Sequence, residues 1–413
     1  MTGKVFEGIK VADFSWVVAG PLATKCLADY GATVVKIESM EHPDLLRLSA
    51  PYKDDKPGVN RSGYFAYYQH NKLSFSLNLN HPRAREVALS LVSWSDIVVE
   101  NFTPGTMERW GLGYEELTKV KPEIIMLRIS NQGQTGPWSG VPSYGTLLTA
   151  MAGFSDIIGW PDRDPLMLNL AWPDFIAAPM AFTALVAALE YRQRTGEGQC
   201  LDLSQLENSL LFLSPLALDY VVNGRENKRS GNSSPFAAPH GVFRCQGEDR
   251  WCAIAVCTDE EWGNLCKAMG DPPWTKEARF STFSERKRNE EELNHLVEAW
   301  TINFTPEEVM SQLQGFGVSA GVVKSAADLY GDPQIKCRNA LWTGNHEEMG
   351  EYTCLGQPSI LSRTPAELQY SAPLLGQDTV YVCQELLGMS EEDLDHLVIS
   401  GVFGEGITGQ NRL

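Results

Sequence analysis

Residues 9–37 run through a short apolar segment, an amphipathic segment and a second apolar segment. That order constrains the fold more than any other feature of the chain. Ile9 to Phe14 reads as a strand, Pro21 to Tyr30 as a helix with proline in its first turn and Gly31 as its cap, and Thr33 to Ile37 as a second strand. A helical crossover between two strands makes them parallel. The alternation continues with a helix at Arg83–Trp94, a strand at Asp96–Val99, a helix at Tyr114–Val120 and a strand at Ile124–Ile129. The expected class is therefore α/β, a doubly wound, Rossmann-like sheet covered by helices. Such sheets bind ligands beyond the carboxyl ends of their strands, so the ends near Phe14, Ile37, Val99 and Ile129 are expected to face the ligand.

With 413 residues the chain is long enough for more than one core. Residues 1–205 read as a large α/β domain, with an apolar stretch from Met167 to Leu216 and a strand from Cys200 to Leu203. Residues 206–228 are expected to be a linker running into a Gly/Asn/Ser/Pro-rich stretch that ends at Pro239. A smaller inserted α+β domain follows at 229–330, with a hairpin-like piece (Gly241–Val256) and helices at Glu260–Met269, Arg288–Trp300 and Pro306–Gln314. A second linker at 331–374 then leads to C-terminal helices at 375–413 that return to the large domain.

A formal net charge of -18 argues against nucleic acid as the main partner, because a phosphate backbone needs a basic field. Nine cysteines without a C-x-x-C pair read as buried free thiols in a reducing, cytoplasmic setting. No signal peptide is expected at the charged start. The apolar segment Phe175–Leu189 is shorter than a membrane span and holds Pro179, so no membrane partner is expected. The seven histidines never fall at metal-ligand spacing, which leaves no expected metal site. Gly404, Gly406 and Gly409 spell a dinucleotide fingerprint, but too few residues follow for the helix it requires. Glu38 ends the second strand where a nicotinamide enzyme would hold a ribose. The preceding loop, Ser15–Pro21, offers one glycine and three bulky residues where that role needs a run of glycines.

The segments Val11–Pro21 (VADFSWVVAGP), Gly31–Glu38, Asn71–Lys72, Asp96–Phe102, Pro104–Gly105 with Arg109, Gln134–Pro137, Tyr144, Trp172–Asp174, Arg194–Gln199, Ala238–Gly241, Gly317–Gly321, Asp332–Pro333 and Ala372–Gly376 occur in an order and spacing that resemble the family III CoA transferases, the CaiB/BaiF type that includes formyl-CoA transferase. The resemblance implies that Asp174 is the nucleophile, attacking an acyl-CoA to give an aspartyl anhydride and then an aspartyl-CoA thioester. Taken alone, an aspartate before an apolar helix is as readily an N-cap, and a helix N-terminus favours its ionised form. The resemblance also places CoA against Val18, Ala19, Ser39, Leu77, Asn78, Leu79, Asn80, Asn101, Phe102, Thr103, Arg109, Ser143 and Tyr144. Ser39 and Asn80 stand where some relatives carry basic residues, which makes Lys36 and Lys72 candidates for the phosphates.

CoA thioesters are then substrates, with no permanently bound cofactor. Succinyl-CoA is a common donor in the family, and Met151, Met167, Met180 and the tryptophans would suit a bulky acid. The related acyl-CoA racemases pair the aspartate with a Gly-His-Asp motif, and here Ser143-Tyr144-Gly145 stands instead, which removes the second base. Racemisation or isomerisation, and service as one subunit of a heteromeric transferase, remain the alternatives. Ser230–Ser234 is the nearest counterpart of the family's glycine-rich lid. Family members form a dimer of interlocked chains, so the expected partner is a second copy or a related chain.

Overall fold

A computed structural model describes residues 3–404, and it divides into two compact units. Of the described residues, the first contains 3–154, 167–226 and 336–404, and the second 155–166 and 227–335. Positions 405–409 of the fingerprint-like tail, and 405–413 of the expected C-terminal segment, lie outside the described residues.

The first unit is built on β1 (Lys10–Asp13), β2 (Thr33–Glu38), β3 (Lys72–Ser76), β4 (Ile97–Glu100), β5 (Ile125–Ser130) and β6 (Cys200–Ser204). All pair in parallel, in the order β3-β2-β1-β4-β5-β6. The winding direction reverses between β1 and β4, which makes their carboxyl ends the switch point where doubly wound sheets hold ligands. Neighbouring residues of each strand point to opposite faces, and both faces are buried. Ala12, Val35, Val98 and Met126 join one core with α3 (Ala84–Trp94), after α1 (Ala19–Asp29) and α2 (Gly63–Gln69) in the chain. Val11, Val34, Ile97 and Ile125 join the other, with Leu27 of α1 and Ala177, Ala181 and Leu185 of a long later helix. After α3 come α4 (Tyr114–Val120), α5 (Gly145–Met151) and that long helix, α6 (Trp172–Thr195).

Pro173 opens α6 without cost, since its missing N–H has no helical partner there, and Gly196 closes it in the left-handed region at φ 78°. Arg192 near its end pairs with Asp96 at 3.2 Å. At 24 residues α6 is long and apolar enough to cross a membrane by length and composition, which corrects the shorter segment read from the sequence. Pro179 lies within the helix rather than ending it. Its Ile176, Ala177, Ala178, Ala181, Leu185 and Ala188 are buried.

The expected linker 206–228 instead carries α7 (Gln205–Phe212) and α8 (Ser214–Asn223), both in the first unit. Ser204 caps α7, and Gly224 ends α8 at φ 65°. The expected linker 331–374 likewise holds an antiparallel hairpin. Strand β3 was also missed, because its Lys-Leu-Ser-Phe-Ser pattern is half polar. Its edge is covered from the far end of the chain: the Ser74 N–H donates to Asp378 Oδ2 at 2.7 Å and the Ser76 N–H to Thr379 Oγ1 at 3.0 Å.

In the second unit β7 (His240–Arg244), β8 (Trp251–Ala255) and β9 (Ser319–Val322) form an antiparallel sheet. It packs with α9 (Asp259–Ala268), α10 (Glu290–Thr301) and α11 (Pro306–Gly315) around Phe243, Ile254, Trp262, Leu265, Phe280, Leu293 and Leu313. Thr258 with Glu261 and Thr305 with Glu308 form reciprocal capping boxes. Ser230, Asn232 and Ser233 are exposed, and Gly231 N–H donates to Gly159 O. The chain then returns to the first unit through β10 (Leu341–His346), β11 (Gly350–Leu355) and α12 (Glu391–Ser400). None of the nine cysteines is in a disulfide, and Cys200, Cys257 and Cys337 are exposed, where burial was expected.

Candidate active site

A cleft of 540 Å³ opens at the switch point of the sheet. It is walled by Trp16 and Val17 after β1, by Asn101–Pro104 after β4, by Ser130 and Asn131 at the end of β5, and by Ser143–Gly145. Asp174, in the first turn of α6, and Gln205, the first residue after β6, complete it. The ends of β1, β4 and β5, read from the sequence as facing a ligand, open onto this cleft. The end of β2 does not reach this cleft.

Several interactions hold its walls. Asn101 Oδ1 accepts from Trp16 N–H at 2.8 Å and its Nδ2 donates to Trp16 O at 2.7 Å, which ties the loops after β1 and β4 together. Trp16 meets Phe102 edge-on with ring centroids 5.5 Å apart. Val17 sits at φ 68°, a strained setting for a β-branched residue, and Asp44 accepts its N–H at 3.1 Å. Asp44 in turn pairs with Lys36 at 2.9 Å.

Asp174 Oδ1 accepts from Gln205 Nε2 at 2.8 Å. Its Oδ2 lies so close to Gly145 that a Cβ on that residue would overlap it. Burial raises the Asp174 pKa, and the Gln205 hydrogen bond only partly opposes that. Loss of water on burial pulls against the ionised form that a helix N-terminus favours. The charge of Asp174 also reaches Tyr64 on α2, whose hydroxyl is pushed up first by its own burial and then by Asp174. Gln205 Oε1, Ser130 Oγ and Ser143 Oγ are buried at the cleft without a hydrogen-bond partner. Among the described residues no group of three or more His, Cys, Asp or Glu is placed to hold a metal ion.

The profile described as CoA-transferase family III matches residues 6–379. The chain belongs to that family. It is 32% identical over 391 residues to a succinyl-CoA–D-citramalate CoA-transferase of Chloroflexus aurantiacus, covering 95% of this chain and 96% of the relative. It is 31% identical over 398 residues to the beta subunit of a succinyl-CoA–L-malate CoA-transferase of the same organism, covering 94% and 96%. The crystal structure of a CaiB/BaiF family protein from Brucella suis superposes with a TM-score of 0.85 at 29% identity, covering 93% of this chain and 100% of the other.

Among the residues that the family resemblance singled out, this CoA-transferase brings Asn101, Phe102, Thr103, Ser143, Tyr144 and Asp174 to one cleft. Tyr144 stands at its mouth, 75% exposed. Val18 and Ala19 are buried where α1 begins. Ser39 is buried in the turn after β2, where its Oγ accepts from His42 N–H at 2.9 Å. Leu77 is in the core, and Asn78, Leu79 and Asn80 follow β3 rather than line the cleft. Arg109 is exposed, with its guanidinium on Thr106 Oγ1 at 2.8 Å.

Lys36 and Lys72, read from the sequence as phosphate candidates, are not presented to the cleft of this CoA-transferase. Both are fully buried, because each points inward from a sheet strand. Lys36 is spent on Asp44 and on Ser15 O. Lys72 Nζ lies 2.7–3.0 Å from Asp13, Pro21 O, Thr24 and Gln69, so its three N–H groups are all occupied. Burial pulls the Lys72 ammonium down to about 8, against the opposite pull of Asp13. Asp13 is held below the usual carboxylate range despite its burial, by Lys72 and Lys36 and by the Ser15 and Thr24 hydroxyls. The reading of the sequence missed Trp16, Ser130, Asn131, Gly145 and Gln205. The rule that ligands sit just past strand ends would have flagged Asn131 and Gln205.

Proposed function

We propose that this chain moves CoA from an acyl-CoA donor to a carboxylic acid through covalent intermediates on Asp174. The observation that carries the reading is a partly buried carboxylate, its pKa raised by burial, set in the first turn of α6 at the switch-point cleft. Asp174 Oδ2 attacks the thioester carbonyl, the C–S bond breaks, and CoA leaves as thiolate. The thiolate then attacks Cγ of the mixed anhydride, and the Cγ–Oδ2 bond breaks to release the donor acid as its carboxylate. The acceptor carboxylate attacks Cγ of the resulting aspartyl-CoA thioester, the Cγ–S bond breaks and CoA leaves as thiolate. The thiolate then attacks the acceptor's acyl carbon of the new anhydride, whose bond to the aspartyl oxygen breaks to give acceptor-CoA and the free Asp174 carboxylate. Each step exchanges one activated acyl bond for another, so no step has to cross the barrier of attacking a free carboxylate. A raised pKa makes the carboxylate the stronger nucleophile for the first step.

Succinyl-CoA is the first donor to test, since both relatives above carry it in their names. Asn101–Thr103, Ser143 and Tyr144 are the proposed acyl-CoA contacts, and Arg109 is the proposed phosphate contact. A racemase needs a second base, and no histidine lines the cleft. Gly145 also leaves no room for a side chain beside Asp174. We place the enzyme in the cytoplasm as a dimer, or as a heteromer with a related chain. One relative is a named subunit, and Leu210, Leu211, Phe212, Val221 and Val222 of α7 and α8 are exposed apolar residues.

The test is intact-protein and peptide mass spectrometry after incubation with succinyl-CoA, with hydroxylamine trapping. Donor-dependent modification at Asp174 is the expected result. An unmodified Asp174 together with exchange of a substrate α-proton would replace transfer by isomerisation.

A further inference from the structure

We propose that Gln205 is the residue that orients Asp174 and stabilises the oxyanion that forms on its Oδ1. This rests on the assignment of Asp174 as nucleophile. The geometry separates the two carboxylate oxygens: Oδ1 takes the Gln205 Nε2 hydrogen bond at 2.8 Å, whereas Oδ2 is turned towards the Gly145 backbone. Fixing one oxygen leaves the other as the attacking atom, in one rotamer rather than several.

When CoA thiolate attacks Cγ of the anhydride, the electron pair of the Cγ–Oδ1 carbonyl moves onto Oδ1. Its return expels the donor carboxylate, which carries Oδ2 away. The aspartyl-CoA thioester keeps Oδ1 as its carbonyl, and the same charge develops there when the acceptor attacks. Both attacks at Cγ therefore place negative charge on the atom that Gln205 already contacts. A donor waiting there needs no reorganisation at the moment of reaction.

The setting of Gln205 suits this role. It is 3% exposed, at the first position of α7 directly after β6, where Ser204 fixes the turn by accepting from Glu207 N–H. Its Oε1 has no hydrogen-bond partner, so the structure bears the cost of a buried amide oxygen while its Nε2 is held on Asp174. No cation contributes to the titration of Asp174. Burial raises its pKa and the Gln205 hydrogen bond opposes that, while its charge raises the pKa of Tyr64 on α2.

The experiment compares wild type with the near-isosteric Gln205→Met and with Gln205→Glu, each checked for folding by circular dichroism. The expected loss in kcat is about 10²- to 10³-fold, the range for removing one oxyanion donor, with KM for the acyl-CoA unchanged within about threefold. Removing a donor from a carboxylate disfavours its ionised form, so the acidic limb of kcat/KM moves to higher pH in Gln205→Met, and further in Gln205→Glu. A folded variant with wild-type kcat and an unmoved acidic limb overturns the proposal. A wild-type crystal frozen after mixing with donor gives a result that does not depend on variant folding. Gln205 Nε2 within hydrogen-bond reach of the aspartyl carbonyl supports the proposal, and Gln205 turned away refutes it. Failure of the Asp174 assignment would show separately, as an unmodified Asp174 in wild type and full activity in Asp174→Asn.

Discussion

Asp174 is held by two features a sequence displays poorly: an amide 31 residues further on, and a glycine whose only role is to be absent as a side chain. Asp174→Asn keeps the acceptor for Gln205 but removes the proposed nucleophile, so kcat should fall by at least ~10³-fold without loss of thermal stability. Gly145→Ala should push the carboxylate from its position and lower kcat about 10²-fold, measured by steady-state kinetics with succinyl-CoA. The Asn71-Lys72 pair, part of the family resemblance, is structural. Asn71 stands at φ 61° and gives Nδ2 to Asp29 and to Glu367 O, while its Oδ1 accepts from Gln369 and Tyr370 N–H. Residue type and spacing alone could not separate a lysine saturated by Asp13 and Thr24 from one waiting for phosphate.

At the level of elements, α6 carries Asp174, the proposed nucleophile, at one end and the core of one sheet face along its length. Leu185 is fully buried in that core, and Leu185→Ala should cost about 2–5 kcal/mol, read from a shifted urea midpoint with unchanged slope. The end of α1 is fixed by Asp29, which accepts from Lys25 at 2.6 Å, from Asn71 and Gln357 at 2.7 Å each, and pairs with His70 at 3.1 Å. Burial opposes its ionisation, but His70 and Lys25 bring its pKa down from 3.8 to about 2. Its folded value lies below its unfolded one, so its stabilisation is complete above about pH 4 and is lost as pH falls towards 2. Denaturant midpoints taken from pH 5 down to pH 2.5 should show roughly 2 kcal/mol of that loss in wild type and not in Asp29→Asn. An equal slope in the variant would assign the acid sensitivity to other carboxylates.

For the whole molecule, the strand–helix alternation over the first 130 residues translated directly into β1, β2, β4 and β5, because buried parallel strands are continuous apolar runs. It failed for β3, which is half polar because Lys72 and Ser74 find partners inside, and for α7 and α8, whose exposed apolar residues blurred the helical period. The switch point and the position of Asp174 were legible, and the strand-end rule reaches Gln205, but the hydrogen bond between Gln205 and Asp174 was not legible, since it arises only when β6 is laid beside β5. The exposed apolar residues of α7 and α8 lead us to expect a species of at least twice 45.7 kDa in sedimentation velocity, and a concentration-independent monomer would refute it. The closure of the β3 edge by Asp378 and Thr379 has a consequence for synthesis. Ser76 and Thr379 are 303 residues apart, so at ribosomal rates of about 5–20 residues per second the nascent sheet keeps an open edge for ~15 to 60 s. For that interval the chain has an unpaired strand to offer to any neighbour, and its need for a holding chaperone should be greatest before its last 40 or so residues emerge.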